Sequence, residues 1–212
     1  MGILRVDHPD VLEFIDCKAV EGEIANFNIS VAITDAFMEA YRSNSDYPLI
    51  NPRTGKEVRR ISAKEVMERI AQGAWRNGEP GVVFIDEINR TNPTIHLGPI
   101  EATNPCAEQP LHPYESCNLG SINLAAFVKN GKVLYDELRD TVFTCVRFLD
   151  NVIDANKFPL PEIEKWTKAN RRIGLGVMGF HDFLILQGIA YYSQEALKKA
   201  EEIMKFIQDL SL

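Results

Sequence analysis

Long apolar runs are missing: no stretch of this 212-residue chain reaches the roughly 18–20 uncharged residues that a membrane-spanning helix requires. The first ten residues also lack the apolar core of a secretory signal, so a cytoplasmic protein with no membrane association is expected. Met1-Gly2 opens like a myristoylation site, but Val6 stands where that motif wants Ser or Thr. Basic excess is missing too. Thirty acidic residues against 23 basic ones leave a net charge of −7, which excludes the basic stripe that polymeric nucleic acid demands. Any nucleotide handled here is then a small molecule. Cysteine is scarce: Cys17, Cys106, Cys117 and Cys145 are too few and too unevenly spaced for a secreted disulfide framework, and read as thiols of a reducing compartment. The histidines at 8, 96, 112 and 181 lack ligand spacing and are expected in caps, core or surface. Repeats, low-complexity tracts and linkers are absent, so a single α/β unit over residues 1–212 is the economical reading.

What is present is an ordinary globular composition, 45% apolar and 25% charged, with α and β patterns in alternation. Proline and acidic residues near a helix start predict a helix over about 9–18. Alternation over 26–33 predicts a strand, and Thr34 or Asp35 caps a helix through Tyr41. The turn-rich stretch 43–56 fits a hairpin, and Ser62-Ala63-Lys64-Glu65 matches a capping box opening a helix to about Trp75. Val82-Val83-Phe84-Ile85 suits a buried strand. From Asn89 to Glu115 the chain is dense in Asn, Pro and Thr without periodicity, which predicts an ordered loop of functional importance. A helix follows over 136–156, with Leu138, Val142, Phe143, Val146, Leu149 and Ile153 on one face. Pro161 opens another through about Ala169. Arg172 to Val177 fits a strand, 179–188 a helix, and Ser193 opens a last amphipathic helix to Leu210.

The chemistry concentrates in residues 103–124. Asn104, Cys106 and Glu108 alternate, and in an extended loop their side chains share one face. A thiol can give or take a hydrogen atom, a carboxylate can act as base, and an amide can hold a hydroxyl. Cys117 lies eleven residues beyond Cys106 and reaches the same cavity if the loop folds back. On these residues alone, two other readings stay open. Either cysteine suits a small buried hydrophobe, and Cys106, His112 and Cys117 suggest zinc, although the short C-x₂₋₄-C spacing is missing.

Asn104-Pro105-Cys106-x-Glu108-Gln109-Pro110-Leu111, followed by Cys117-Asn-Leu-Gly-Ser-Ile-Asn-Leu124, closely resembles the active-site loop of ribonucleotide reductase catalytic subunits. The proline before Cys106 and the small residue after it are most similar to the adenosylcobalamin-dependent class. Three further stretches match in the family's order: His8-Pro9-Asp10, Asn26-Phe27-Asn28-Ile29-Ser30-Val31, and Arg171-Arg172-Ile173-Gly174-Leu175-Gly176-Val177. The resemblance implies part of a ten-stranded α/β barrel, incomplete at both ends, with a central finger loop carrying the radical cysteine. Cys106 then matches the thiyl radical that takes the 3′ hydrogen of a ribonucleotide, Glu108 the base for the 3′-hydroxyl, and Asn104 the partner of the substrate hydroxyls. Cys117 matches one of two thiols that supply reducing equivalents; its partner is expected on an upstream strand outside this chain. Adenosylcobalamin is the implied cofactor. The implied partners are a ribonucleoside di- or triphosphate, a thioredoxin-like or dithiol reductant, the remaining segments of the same enzyme, and a second copy in a homo-oligomer.

Other signals carry less. Cys17 and Cys145, both on helices, match no family redox position and are expected to be structural. Gly174 to Gly179 forms a G-x-G-x-x-G pattern without the strand before it or the acid after it that a dinucleotide site needs, and is read as a strand-to-helix turn. Val82 to Glu87 resembles the acidic strand end of a nucleoside triphosphatase, yet no phosphate-binding glycine loop exists. Glu101 and Glu115 are read as structural. Two alternatives accompany the main reading: a reductase of the class whose radical comes from a metal-bearing second subunit, and an inactive structural or interaction module.

Overall fold

The computed structural model describes every residue except 21 and 23. It is mixed α/β and divides into two compact units, residues 1–113 and 114–212. Within neither unit do the described strands close a barrel.

The first unit is built on three parallel strands, β1 (Gly2–Arg5), β2 (Ile29–Ile33) and β5 (Gly81–Phe84), with β2 in the middle. Between them the chain forms α1 (Val11–Asp16), α2 (Asp35–Arg42), the strands β3 (Asp46–Ile50) and β4 (Glu57–Ser62), and α3 (Ala63–Asn77). All five residues of β2 are buried because both of its faces are covered. Val31 and Ile33 pack with Val11, Phe37, Leu49, Val66 and Ile70 of the surrounding elements, while Ala32 turns to Val83, Ile85 and Ile3 on the other face. This is the continuous apolar pattern of a central parallel strand.

Local signals position the helices. Thr34 is the N-cap of α2, its hydroxyl accepting from Phe37 N–H at 3.1 Å and also meeting the buried Tyr47 hydroxyl at 2.8 Å. Ser62 accepts from Glu65 N–H at 3.3 Å, and Gly78, at φ +84, ends α3 in the left-handed conformation. The stretch expected as a hairpin is one, β3 pairing antiparallel with β4 across a turn in which Asn51 Oδ1 accepts from Arg53 and Thr54 N–H. One expectation is corrected: the strand at 82–85 is not buried throughout. Val83 is 4% exposed, but Val82 and Phe84 are 40% and 50% exposed, because β5 is the outer strand of its sheet.

After β5 come α4 (Ile85–Arg90), a short 3₁₀ turn (Ile95–Leu97), and two short antiparallel strands, β6 (Ala102–Thr103) and β7 (Pro110–Leu111). The second unit starts with β8 (Asn118–Asn123), a 3₁₀ turn (Leu124–Phe127) and the pair β9 (Val128–Lys129) and β10 (Lys132–Val133). Then follow α5 (Tyr135–Ala155), α6 (Pro161–Asn170), β11 (Ile173–Met178), α7 (Phe180–Ile185) and α8 (Gln194–Ser211). β8 and β11 run parallel over six rungs from Asn118↔Ile173 to Asn123↔Met178. The core beside them comprises Ile122, Leu124, Leu138, Val142, Phe183, Leu184, Ile203 and Ile207, with Cys145 packed against it. The stripe on α5 therefore holds at 138, 142, 146, 149 and 153, but Phe143 leaves it and is 51% exposed. One residue beyond Val142 is about 100° around the helix, outside the stripe. The glycine pattern at 174–179 is the expected strand-to-helix turn: Gly179, at φ +69, caps α7, and a Cβ there would lie 2.3 Å from Asn123 Oδ1.

Helices α5 and α8 are tied by a hydrogen bond from the Tyr135 hydroxyl to Glu202, which Lys199 also grips at 2.7 Å. Burial, with help from the carboxylate, pushes the Tyr135 phenol up to about 12, and the Lys199 hydrogen bond, followed by that of Tyr135, lowers the Glu202 carboxyl. A raised phenol stabilises the fold while protonated and loses that contribution as pH climbs from the ordinary tyrosine range toward 12. A lowered carboxyl contributes above its unfolded value and loses its part as pH falls through the depressed one. The tie is thus expected to be strongest between the two ranges, and Tyr135→Phe should flatten the alkaline limb of the stability profile. Phenolate absorbance during alkaline titration checks this: a tyrosine ionising late in the wild type and absent from Tyr135→Phe is the expected trace.

Candidate functional site

The stretch 89–113 is irregular yet well supplied with hydrogen bonds, and asparagine side chains supply many of them. Asn89 donates to Ile85 O at 3.0 Å and Ile100 O at 2.9 Å, and its own oxygen accepts from Ile100 N–H at 2.8 Å. Asn92, 8% exposed, accepts from the Thr94 N–H and hydroxyl, both at 2.9 Å. His112 is 2% exposed, with Nε2 2.8 Å from the Thr94 hydroxyl and Nδ1 3.2 Å from Pro99 O. Both ring nitrogens are committed to the loop's own scaffold. Among the described residues, no three His, Cys, Asp or Glu side chains are grouped to hold a metal ion. Nothing in composition distinguished Asn89, Asn92 and His112 as supports; the density of Asn and Thr was the one available signal.

This scaffold carries a short hairpin with Cys106 at its tip. β6 and β7 pair through Ala102↔Leu111 and Thr103↔Pro110, and Asn104 N–H continues the ladder to Gln109 O at 3.1 Å. Asn104 closes the turn: its carbonyl accepts from Ala107 N–H at 3.0 Å and its side-chain oxygen from Gln109 N–H at 3.0 Å. Ala107 takes a positive φ of 67. The loop is a turn rather than an extended strand, so alternation is not what relates Asn104, Cys106 and Glu108. They share one tight turn instead. Pro105 to Glu108 are exposed, and Asn104 is half-buried. At the ends of β1 and β5, a cavity of about 620 Å³ is bordered by Arg5, Asp7, His8, Asp86, Asn89 and Glu101, close in sequence to the base of the hairpin.

Cys117 belongs to the second unit, immediately before β8, and is partly buried. The residues beside it are anchored. Glu115 is fully buried in its side chain, and Oε1 accepts from Arg172 Nε at 2.9 Å and from Asn170 Nδ2 at 2.8 Å. Ser116 holds Thr167 through both its N–H, at 3.3 Å, and its hydroxyl, at 2.8 Å. On the far side, Asn118 forms the first rung with Ile173. Arg171, in the left-handed conformation at φ 49, ends α6 and reaches the other way, to Asp150 and Asp154 of α5 at 2.8–2.9 Å. Its hydrogen bonds hold the Asp154 carboxyl below the usual range. Adjacent arginines thus serve different ends of one turn. The role of Glu115 was not legible beforehand, since its partners lie 55 and 57 positions along the chain.

The other two cysteines are in the thiol form on helix or helix end, like Cys106 and Cys117 in oxidation state. Burial pushes the Cys17 thiol up, which disfavours the reactive thiolate. Cys145 lines the second core.

Comparison with known proteins adds the lineage. The family model described as ribonucleotide reductase, barrel domain, matches residues 1–212. A vitamin B12-dependent ribonucleoside-diphosphate reductase of Thermoplasma acidophilum is 54% identical over 213 aligned residues, covering all of this chain and 28% of that relative. A protein of the same name from Mycobacterium tuberculosis is 49% identical, covering 98% of this chain and 30% of the relative. A ribonucleoside-diphosphate reductase subunit alpha of Chlamydia pneumoniae is 36% identical over 70% of this chain and 15% of its own length. The chain spans less than a third of the first two relatives, and over that span it belongs to the barrel domain of the ribonucleotide reductase family.

Proposed function

We propose that this chain is the central catalytic segment of a B12-dependent ribonucleotide reductase, which converts ribonucleotides to 2′-deoxyribonucleotides. The observation that carries the reading is the Cys106 hairpin: a thiol at the tip of a braced turn, with an amide and a carboxylate within two residues on either side. In this reading residues 1–212 form one segment of a ten-stranded barrel, and the hairpin is its finger loop. The exposed apolar residues of β5 and α5, Val82, Phe84, Phe143 and Phe148, are then surfaces that further strands and helices cover.

The roles follow from the side chains. Cys106 takes the 3′ hydrogen as a thiyl radical and returns a hydrogen at the end. Glu108 accepts the 3′-hydroxyl proton, for which an exposed carboxylate on the same turn suffices. Asn104 already uses its side-chain oxygen on Gln109 N–H, so the NH₂ is the group it offers to a substrate hydroxyl. Loss of the 2′-hydroxyl as water consumes two electrons and two protons, which Cys117 and a second thiol supply as they join in a disulfide. A thioredoxin-like or dithiol reductant then restores both thiols.

The residues present fit adenosylcobalamin as the radical source, because the thiol that must receive the radical stands exposed at the turn tip rather than enclosed by this chain. When bound, the cofactor supplies one-electron chemistry by homolysis of its carbon–cobalt bond. Cys106 would face it, and Asn104 and Glu108 would stay with the substrate. The names of the relatives from Thermoplasma acidophilum and Mycobacterium tuberculosis favour a ribonucleoside diphosphate as substrate; a cytoplasmic setting and a homo-oligomer of complete chains belong to the same proposal.

The complete protein is expected to turn a ribonucleoside diphosphate into its deoxy form when given adenosylcobalamin and a dithiol, and to be inert without the cofactor. Product formation measured with and without each component is the test. Activity that needs a metal-bearing second subunit and ignores cobalamin would move the protein to the other class. No reduction under either condition would support an inactive module.

A further inference from the structure

We propose that Glu115, acting through Arg172 and Asn170, is a positioning residue for Cys117, holding the segment that carries the thiol in one place through its redox cycle. The inference rests on the reading of Cys117 as a redox thiol. The geometry supplies the rest. Glu115 is a fully buried carboxylate two residues before Cys117, bound at 2.9 Å by Arg172 and at 2.8 Å by Asn170, the residues on either side of the α6–β11 turn. Ser116 is pinned to Thr167 of α6, itself 3% exposed, by two hydrogen bonds. Asn118 enters the parallel ladder with β11. Every neighbour of Cys117 within two positions upstream and one downstream is therefore tied to α6, to β11 or to the turn that joins them.

A buried ion pair is a poor device for stability, because desolvating both charges consumes much of their attraction and an apolar pair of like volume does as well or better. What such a pair does supply is a location, because its hydrogen bonds are short and directional. A thiol that must meet a second sulfur has that requirement. Bond formation between two sulfurs demands a narrow range of separation and dihedral angle, so a segment that drifts by an ångström loses rate steeply. The step is balanced without further reagents. Two thiols release two protons and two electrons as the S–S bond forms; the ribonucleotide takes both and its 2′ C–O bond breaks, the oxygen leaving as water.

The test uses the complete, pre-reduced protein with adenosylcobalamin and a ribonucleoside diphosphate, and no added reductant. Cys117 disulfide formed in the single turnover is trapped and quantified over time, and amide exchange is followed across the peptide containing Cys117. Glu115→Ala is expected to slow disulfide formation about tenfold to a hundredfold and to loosen the peptide, with KM for substrate changed by less than about twofold. Glu115→Gln keeps an acceptor oxygen for Asn170 and Arg172 and should recover most of the rate. Thr167→Val, which frees Ser116 and leaves the ion pair alone, should slow the step as well, and serves if Glu115→Ala does not fold. A lower melting temperature with wild-type disulfide kinetics in both Glu115→Ala and Thr167→Val would overturn the proposal. Cys117→Ser separates the two readings. If that variant turns over normally with a dithiol, the redox assignment itself falls; if it is inactive while the anchor variants are normal, only the positioning role falls.

Discussion

Replacing Cys106 by serine in the complete protein is expected to abolish ribonucleotide reduction while leaving the fold unchanged. The hydroxyl is nearly isosteric with the thiol, but its O–H bond is too strong to yield the radical that the reaction needs. The loss should reach at least about a thousandfold, as it does when a group that acts as the reacting centre is removed. Stability should hold, because Cys106 is exposed at the tip of its hairpin, and the hydrogen bonds of that turn run through Asn104, Ala107 and Gln109. Deoxyribonucleotide formation and a melting curve, measured side by side, decide the matter. Retained turnover in the serine variant sinks the radical assignment. Equal loss of activity and stability would instead mean that the thiol packs against something in the complete protein.

The second large effect concerns stability. Arg172→Met is expected to cost about 3–5 kcal/mol in the second unit, because it removes the ion-pair partner from a carboxylate whose side chain is fully buried. The double variant Glu115→Leu with Arg172→Met should recover most of that loss, since it exchanges the pair for apolar groups of comparable volume. Amide exchange in α6 and β11 reads the local stability directly. Additive losses in the double variant would show that the two side chains act independently, contrary to their 2.9 Å contact. The same double variant is expected to be more stable than either single variant and yet impaired in Cys117 oxidation, which separates folding from positioning.

Much of the fold could be read from local chemistry. Thr34, Ser62, Pro161 and Ser193 announced helix starts because a cap or a proline acts within one turn, and those helices begin within a residue of the expected places. The hairpin after Ser43 and the turn at Gly179 were legible for the same reason. Strands fared unevenly. β2 stood out, but β1 and β8 did not: Gly2–Arg5 is only four residues long, and Asn118–Asn123 mixes Gly, Ser and Asn with its apolar residues. Each exists by pairing with a parallel partner at least 27 positions away, Gly2 with Ile29 and Asn118 with Ile173, and no local pattern encodes such a pairing.

The candidate site divides along the same line. Asn104, Cys106, Glu108 and Cys117 could be named from order and spacing, since a reacting group is a side-chain identity and survives any folding of the loop around it. How they are held could not. The expectation of an extended chain with three side chains on one face gave way to a turn closed by the side chain of Asn104, because a hydrogen bond from Gln109 N–H and a left-handed Ala107 outweigh simple alternation. His112 became a loop support and Glu115 half of a buried ion pair only once residues 13 to 57 positions apart were brought together. Lineage, helix caps and reactive groups are short-range properties and were present in the order of amino acids. Parallel pairing, burial and the anchoring of Cys117 arise from contacts between distant segments, whose free energy exists only after the chain has folded.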